Sequence, residues 1–106
     1  MDKNAVLVII ERFRMLLEAK GIKLSKIILY GSYAKGDYTP ASDIDVVVIS
    51  DDFADKSYWE RIEILSDAIY EIFEPIEAVA MTTEEWQKGE SFICDYAKDG
   101  EILYAA

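Results

Sequence analysis

The stretch Lys26-Ile27-Ile28-Leu29-Tyr30-Gly31-Ser32-Tyr33-Ala34-Lys35-Gly36, continued by Ser42-Asp43-Ile44-Asp45-Val46-Val47-Val48-Ile49, decides how this chain folds. Lys26–Tyr30 reads as a short strand, and Ile44–Ser50 reads as a longer one whose apolar run is nearly unbroken, as in a buried strand. Between them lies a Gly-Ser turn, then a short helix that Gly36 closes, then a loop in which Ser42 caps or orients the approach to Asp43. Side chains at i and i+2 of a strand share a face, so Asp43 and Asp45 point the same way. Two carboxylates held that close repel each other unless a cation lies between them, and oxygen ligands of this kind suit Mg2+. A glycine-permitted turn beside a helix N-terminus leaves backbone N–H groups free for phosphate oxygens. Together these features ask for a metal-bound nucleotide.

Outward from this centre the pattern is regular. Asp2–Lys20 is expected to form an amphipathic helix, with Val6, Ile9, Ile10, Phe13, Leu16 and Leu17 on one stripe and Gly21 ending it. Asp51–Asp55 is a polar loop. Ser57 with Glu60 makes a capping box for a helix from Tyr58 to Phe73, whose core stripe is Ile62, Leu65, Ile69, Ile72 and Phe73. Pro75 bars its continuation. Ile76–Met81 is a third strand, Thr82 with Glu85 repeats the capping-box pattern, and Ser91–Lys98 is a last helix stopped by Gly100. The order alternates helix and strand throughout. It predicts an α/β or α+β fold with a small mixed sheet flanked by helices, in a single domain spanning residues 1–106.

Composition narrows the function. At 106 residues with 52% hydrophobic and 30% charged content, the chain has the balance of one globular domain. No apolar run approaches a membrane span, and the N-terminus lacks the form of a secretory signal, so a cytoplasmic protein with no membrane partner is expected. The chain has no histidine, which excludes histidine general-base catalysis and histidine zinc ligation. The single cysteine, Cys94, is expected in the core. Twenty-one acids against eleven bases give a net charge of −10, which argues against a surface that tracks DNA or RNA. Nucleotide binding stays open, because a metal ion neutralises phosphates locally.

At Gly31-Ser32, ten intervening residues, and Asp43-x-Asp45, the chain resembles the nucleotidyltransferase superfamily of the DNA polymerase β-like fold. Within it, the chain is most similar to the minimal nucleotidyltransferases. The likeness runs on through Pro75–Met81 and into the tail Lys98-Asp99-Gly100-Glu101-Ile102-Leu103-Tyr104. It implies a catalytic metal set of Asp43, Asp45 and Glu77, the last being the only acid inside Ile76–Met81. It also implies a nucleotide-binding turn of Gly31 and Ser32, with Lys35 where relatives often carry a basic residue. Two Mg2+ ions, or Mn2+ in their place, would serve it, with ATP or another nucleoside triphosphate as donor. Minimal nucleotidyltransferases are commonly paired, as antitoxins, with a helical HEPN-domain toxin, on which they are thought to adenylylate a tyrosine.

Three functions therefore stand open. The first is a metal-dependent nucleotidyltransferase that moves a nucleotide, AMP from ATP, to an acceptor hydroxyl on a HEPN-type partner. The second is a non-catalytic nucleotide-binding antitoxin that acts by occlusion. The third is a transferase with a small-molecule acceptor. Self-association is open in each. Among the aromatic residues, Tyr30, Tyr70 and Tyr104 are expected in the core and Trp59 and Trp86 as packing anchors. Tyr33 and Tyr38 lie near the site, where either a core or rim position, stacking on a base, or accepting a nucleotide is possible.

Overall fold

A computed structural model describes the whole chain, Met1–Ala106. The elements follow as α1 (Lys3–Ala19), β1 (Lys26–Tyr30), α2 (Ser32–Lys35), β2 (Ile44–Ile49), α3 (Tyr58–Ile72), β3 (Ile76–Met81), α4 (Thr83–Lys88), α5 (Phe92–Ala97) and β4 (Glu101–Ala105). The strands form one mixed sheet in the order β3-β2-β1-β4. β1 is antiparallel to both its neighbours, while β2 and β3 run parallel, with α3 as the crossover between them. This is the mixed sheet flanked by helices that the sequence predicts. It gains a fourth strand, β4, in the tail that follows the last expected helix.

Alternation along the strands divides the interior in two. Ile27, Leu29, Ile44, Val46, Val48 and Ile76 pack with Val6, Phe13 and Leu17 of α1 and Leu65, Ala68 and Ile72 of α3. The opposite face gives a smaller core, in which Ile28, Val47, Ile49 and Met81 meet Cys94 and Ala97 of α5. Cys94 is buried there, with its Sγ 3.8 Å from the sulfur of Met81. Because both faces of β2 are covered along most of its length, its sequence reads as a continuous apolar run rather than an alternating one.

Local chemistry sets the helix starts. Asp2 caps α1 by accepting from the N–H of Ala5 at 2.9 Å. Ser57 and Glu60 satisfy each other's backbone at the start of α3, and Thr82 and Glu85 do the same at α4. Strand β4 is tied to α1 by the Lys3–Glu101 ion pair at 2.8 Å and by Arg14, whose guanidinium lies 5.0 Å from the ring centre of the half-buried Tyr104. No helix is long and apolar enough to cross a membrane.

Several aromatic expectations are corrected. Phe73 is 87% exposed, because α3 stops at Ile72 and Phe73 adopts a left-handed conformation with φ 58°, which turns it outward. Tyr70 is 83% exposed and Trp59 73%, since the buried stripe of α3 is Leu65, Ala68 and Ile72 and both rings lie off it. Trp86 does pack, against the smaller core.

Candidate active site

The candidate residues gather where β1 ends and β2 and β3 begin. Tyr30 is the register partner of Asp45 across β1–β2, and Asp45 is the register partner of Glu77 across β2–β3. Directly opposed residues share a face, so Tyr30, Asp45 and Glu77 form one row across three strands. That row continues the face of the smaller core toward solvent: one step below it lie the buried Val47 and the half-buried Val79, which packs against that core. Asp43 stands one residue ahead of β2 and is exposed.

Gly31 closes the row from above. Its backbone has φ 74° and ψ −154°, a region essentially restricted to glycine. A Cβ there would collide with Oδ2 of Asp45. The turn and the carboxylate thus lie close together: the backbone conformation favours glycine, and a Cβ would displace the Asp45 carboxylate. Ser32 begins α2 directly after it, and Gly36 ends α2 in a left-handed conformation with φ 89°. Lys35 is exposed, and with Gly31, Tyr30, Tyr96 and Asp99 it borders a cavity of about 240 Å³ between α2 and α5. Ser42 orients the loop, its Oγ accepting from the N–H of Thr39 at 2.8 Å.

The electrostatics of the row are unfavourable as they stand. Partial burial, the adjacent Glu77 carboxyl and the charge of Asp43 together push the Asp45 carboxyl up to about 6. The Tyr30 phenol is also raised, by burial and then by Asp45 and Glu77. A cation placed among these oxygens would reverse the sign of that environment. No three acidic or thiol side chains converge into a ready-made metal cage. Mg2+ is usually held by one or two carboxylates together with substrate phosphates, so an open set of hard oxygen donors beside a phosphate-sized turn fits it.

The structure therefore brings Gly31, Asp45 and Glu77 together, with Ser32 adjoining them, Asp43 beside them and Lys35 at the margin. Tyr33 is placed elsewhere: it is only 1% exposed and stacks on Tyr38 with ring centres 4.6 Å apart, so it belongs to the larger core and is not free to stack on a base. The residue that sequence reasoning missed is Tyr30. It packs against the smaller core, as the apolar pattern predicts, and its parity with Ile28 and its position directly before Gly31 also place it in the same row as the carboxylates.

The mixed sheet thus carries a glycine turn against Asp45, with Glu77 beside it on the neighbouring strand. The nucleotidyltransferase domain family matches residues 10–98, and the chain belongs to that family. It is a nucleotidyltransferase. The Methanocaldococcus jannaschii protein MJ0604, described as a protein adenylyltransferase, is 34% identical over 84 residues, covering 77% of this chain and 80% of that protein. Among solved structures, a nucleotidyltransferase from Sulfolobus solfataricus superposes with a TM-score of 0.75 at 17% identity, covering 97% of this chain and 83% of that one. A chain of a toxin–antitoxin complex with AMP-PNP gives 0.66 at 23% identity, covering 91% and 73%. A chain from the tri-AMPylated Shewanella oneidensis HEPN toxin in complex with MNT antitoxin gives 0.62 at 19% identity, covering 98% and 73%. At these identities the three structures show the fold.

Proposed function

We propose that this protein is a metal-dependent protein adenylyltransferase, moving AMP from ATP to a hydroxyl of a partner protein, with a HEPN-type toxin as the partner. One observation carries the reading: Asp45, its carboxyl raised beside Glu77, is pressed against a glycine turn whose conformation other residues adopt only with strain. The name of the archaeal relative and the nucleotide and AMPylated toxin in the complexes that share its fold support the donor and the class of acceptor.

In this proposal Asp43, Asp45 and Glu77 would hold Mg2+, which would neutralise the charge that builds on the phosphates during transfer. The backbone after Gly31 and the Ser32 hydroxyl bind the phosphates of the leaving group, and Lys35 adds a positive charge at that end. The acceptor hydroxyl oxygen forms a bond to the α-phosphorus as the bond to the β-phosphate bridging oxygen breaks. Pyrophosphate leaves with that electron pair, and the hydroxyl proton passes to a carboxylate of the row. Tyr30, half-buried and directly before Gly31, stands beside Asp45 as its cross-strand neighbour and walls that side of the site.

The test is transfer of label from α-32P-ATP with Mg2+ to the protein alone and to a mixture with its HEPN-type partner. Label on the partner that disappears with Asp43→Asn is the expected result. A second reading, nucleotide binding and occlusion without transfer, draws on the exposed position of Asp43 outside the strand row. Tight complex formation and nucleotide binding with no label on any protein would favour it.

A further inference from the structure

The row of side chains that makes the site stops at an open edge. β3 pairs with β2 alone, so its other side presents unpaired main-chain N–H and C=O groups. Ala78, Val79 and Ala80 of β3 are only half-buried, whereas Val46, Val47 and Val48 of β2 are fully buried. A cavity of about 360 Å³ runs along this edge, bordered by Val79, Met81, Arg61, Glu85 and Lys88. Glu77 stands at the head of the same strand, exposed, and is the last member of the row Tyr30–Asp45–Glu77.

An open strand edge has one natural complement, another extended chain. A strand added beside β3 would lie roughly 4.8 Å away, with the side chain opposite Glu77 on the face of Glu77 and Asp45. The row of the active site would then continue by one residue, and that residue belongs to the incoming chain. From this the geometry points to the free edge of β3 as the docking site of the acceptor: an extended polypeptide segment pairs with β3 and delivers a hydroxyl side chain opposite Glu77.

Charge selects among segments. Arg61 is bridged to Glu85 at 2.7 Å and Lys88 to Glu84 at 3.2 Å, so both cations at the edge are already matched. Glu74 and Glu90 have no ion-pair partner in the chain, and Glu90 borders the cavity. The unmatched charge along the edge is negative, which fits a segment with lysine or arginine flanking its hydroxyl residue. Main-chain pairing provides affinity without regard to sequence, and the cavity beside Val79 and Met81 takes a side chain further along the segment.

This inference rests on the adenylyltransferase reading, and the experiment separates the two. The wild-type protein is given α-32P-ATP, Mg2+ and synthetic peptides carrying one tyrosine between lysines. The peptides are supplied unmodified, or N-methylated at alternate residues in each of the two possible phases. One strand edge uses alternate residues of its partner, so one phase of methylation should lower labelling by about tenfold or more while the other leaves it near the unmodified level. A tyrosine peptide locked as a helix should be a poor acceptor. Equal labelling in both phases, preference for the helical peptide, or release of AMP to water with no peptide labelled would each overturn the docking proposal while leaving the transferase reading intact. No AMP or pyrophosphate from ATP with any acceptor, HEPN-type partner included, would sink both.

Discussion

Asp45 and Glu77 are register partners across the parallel pair β2–β3, which sets their carboxyls side by side on one face of the sheet. Two acids in that relation destabilise a fold when both are ionised, and nothing in the chain's own hydrogen bonding or ion pairing offsets it. Sites that keep such an arrangement are commonly functional, and the contact of Asp45 with Gly31 ties it to the turn proposed for phosphate.

The Asp45 carboxyl makes the ligand-free protein less stable as pH rises. Its pKa stands at about 6 in the folded chain against an ordinary value of 3.8. A raised carboxyl pKa contributes stability that is complete below the unfolded value and lost as pH rises through the folded one. Asp45→Asn should therefore stabilise the protein at pH 7.5 by about 1 kcal/mol, a figure reduced for the solvent that still reaches the group. The gain should vanish by pH 4. Urea melts of both proteins in chelator across that range test this, and a constant difference at all pH values would refute it.

Gly31→Ala should damage the site and the fold together. The substitution meets both a glycine-restricted backbone and the Asp45 carboxylate. The backbone strain alone is worth about 1–3 kcal/mol, and the displaced turn should abolish the thermal shift given by ATP with Mg2+. A variant that keeps wild-type stability and nucleotide response would show that the turn is not built around this contact.

Mg2+ with ATP at a hundredfold excess over its Kd should raise the Tm on the order of 10 °C, since ligand that binds only the folded state adds about 2.7 kcal/mol. The Asp43→Asn, Asp45→Asn double variant should lose the shift while remaining folded. Scanning calorimetry decides it, and an equal shift in the double variant would remove these residues from the site.

Much of this was legible in the sequence, for identifiable reasons. Lys26–Tyr30 and Ile76–Met81 have the bounds expected from apolar runs flanked by turn residues, and both capping boxes form where their spacing announced them. Asp45 and Gly31 come together because strand parity and a tight turn are local properties. The outer face of α3 departs from its hydrophobic pattern, because position on the helix and not hydrophobicity decides burial there. Ala68, small and fully buried, belongs to the core stripe that was assigned to Phe73, and the left-handed turn at Phe73 is a backbone choice no periodicity reveals. Tyr30 packs against the smaller core as expected, and its second role is invisible in the sequence because only the cross-strand register shows its partner to be Asp45.

Trp59→Ala should accordingly change stability by no more than about 0.5 kcal/mol, since the exposed ring in the first turn of α3 takes no part in the Ser57–Glu60 capping box or the core. Phe13→Ala, which empties a fully buried position in the larger core, should cost about 3–5 kcal/mol. Denaturant melts of the pair test the corrected assignment directly, and a large loss from Trp59→Ala would return that ring to a packing role.

Strand β4 was hidden because it is short, lies at an edge and pairs with a strand distant in sequence. Its entry depends on Gly100, where a Cβ would run into the backbone oxygen of Leu29 and lie 2.8 Å from Cγ2 of Ile28. The helix stop read at this position is thus also the point at which the chain passes close over β1. Gly100→Ala should push β4 off its partner, because backbone atoms of an inner strand cannot yield as a flexible side chain would. The expected cost is about 1–3 kcal/mol, with faster amide exchange confined to Glu101–Ala105 and to β1. Hydrogen exchange read by mass spectrometry distinguishes this from a general loss of stability. Unchanged protection at β4 in a destabilised variant would place the strain elsewhere.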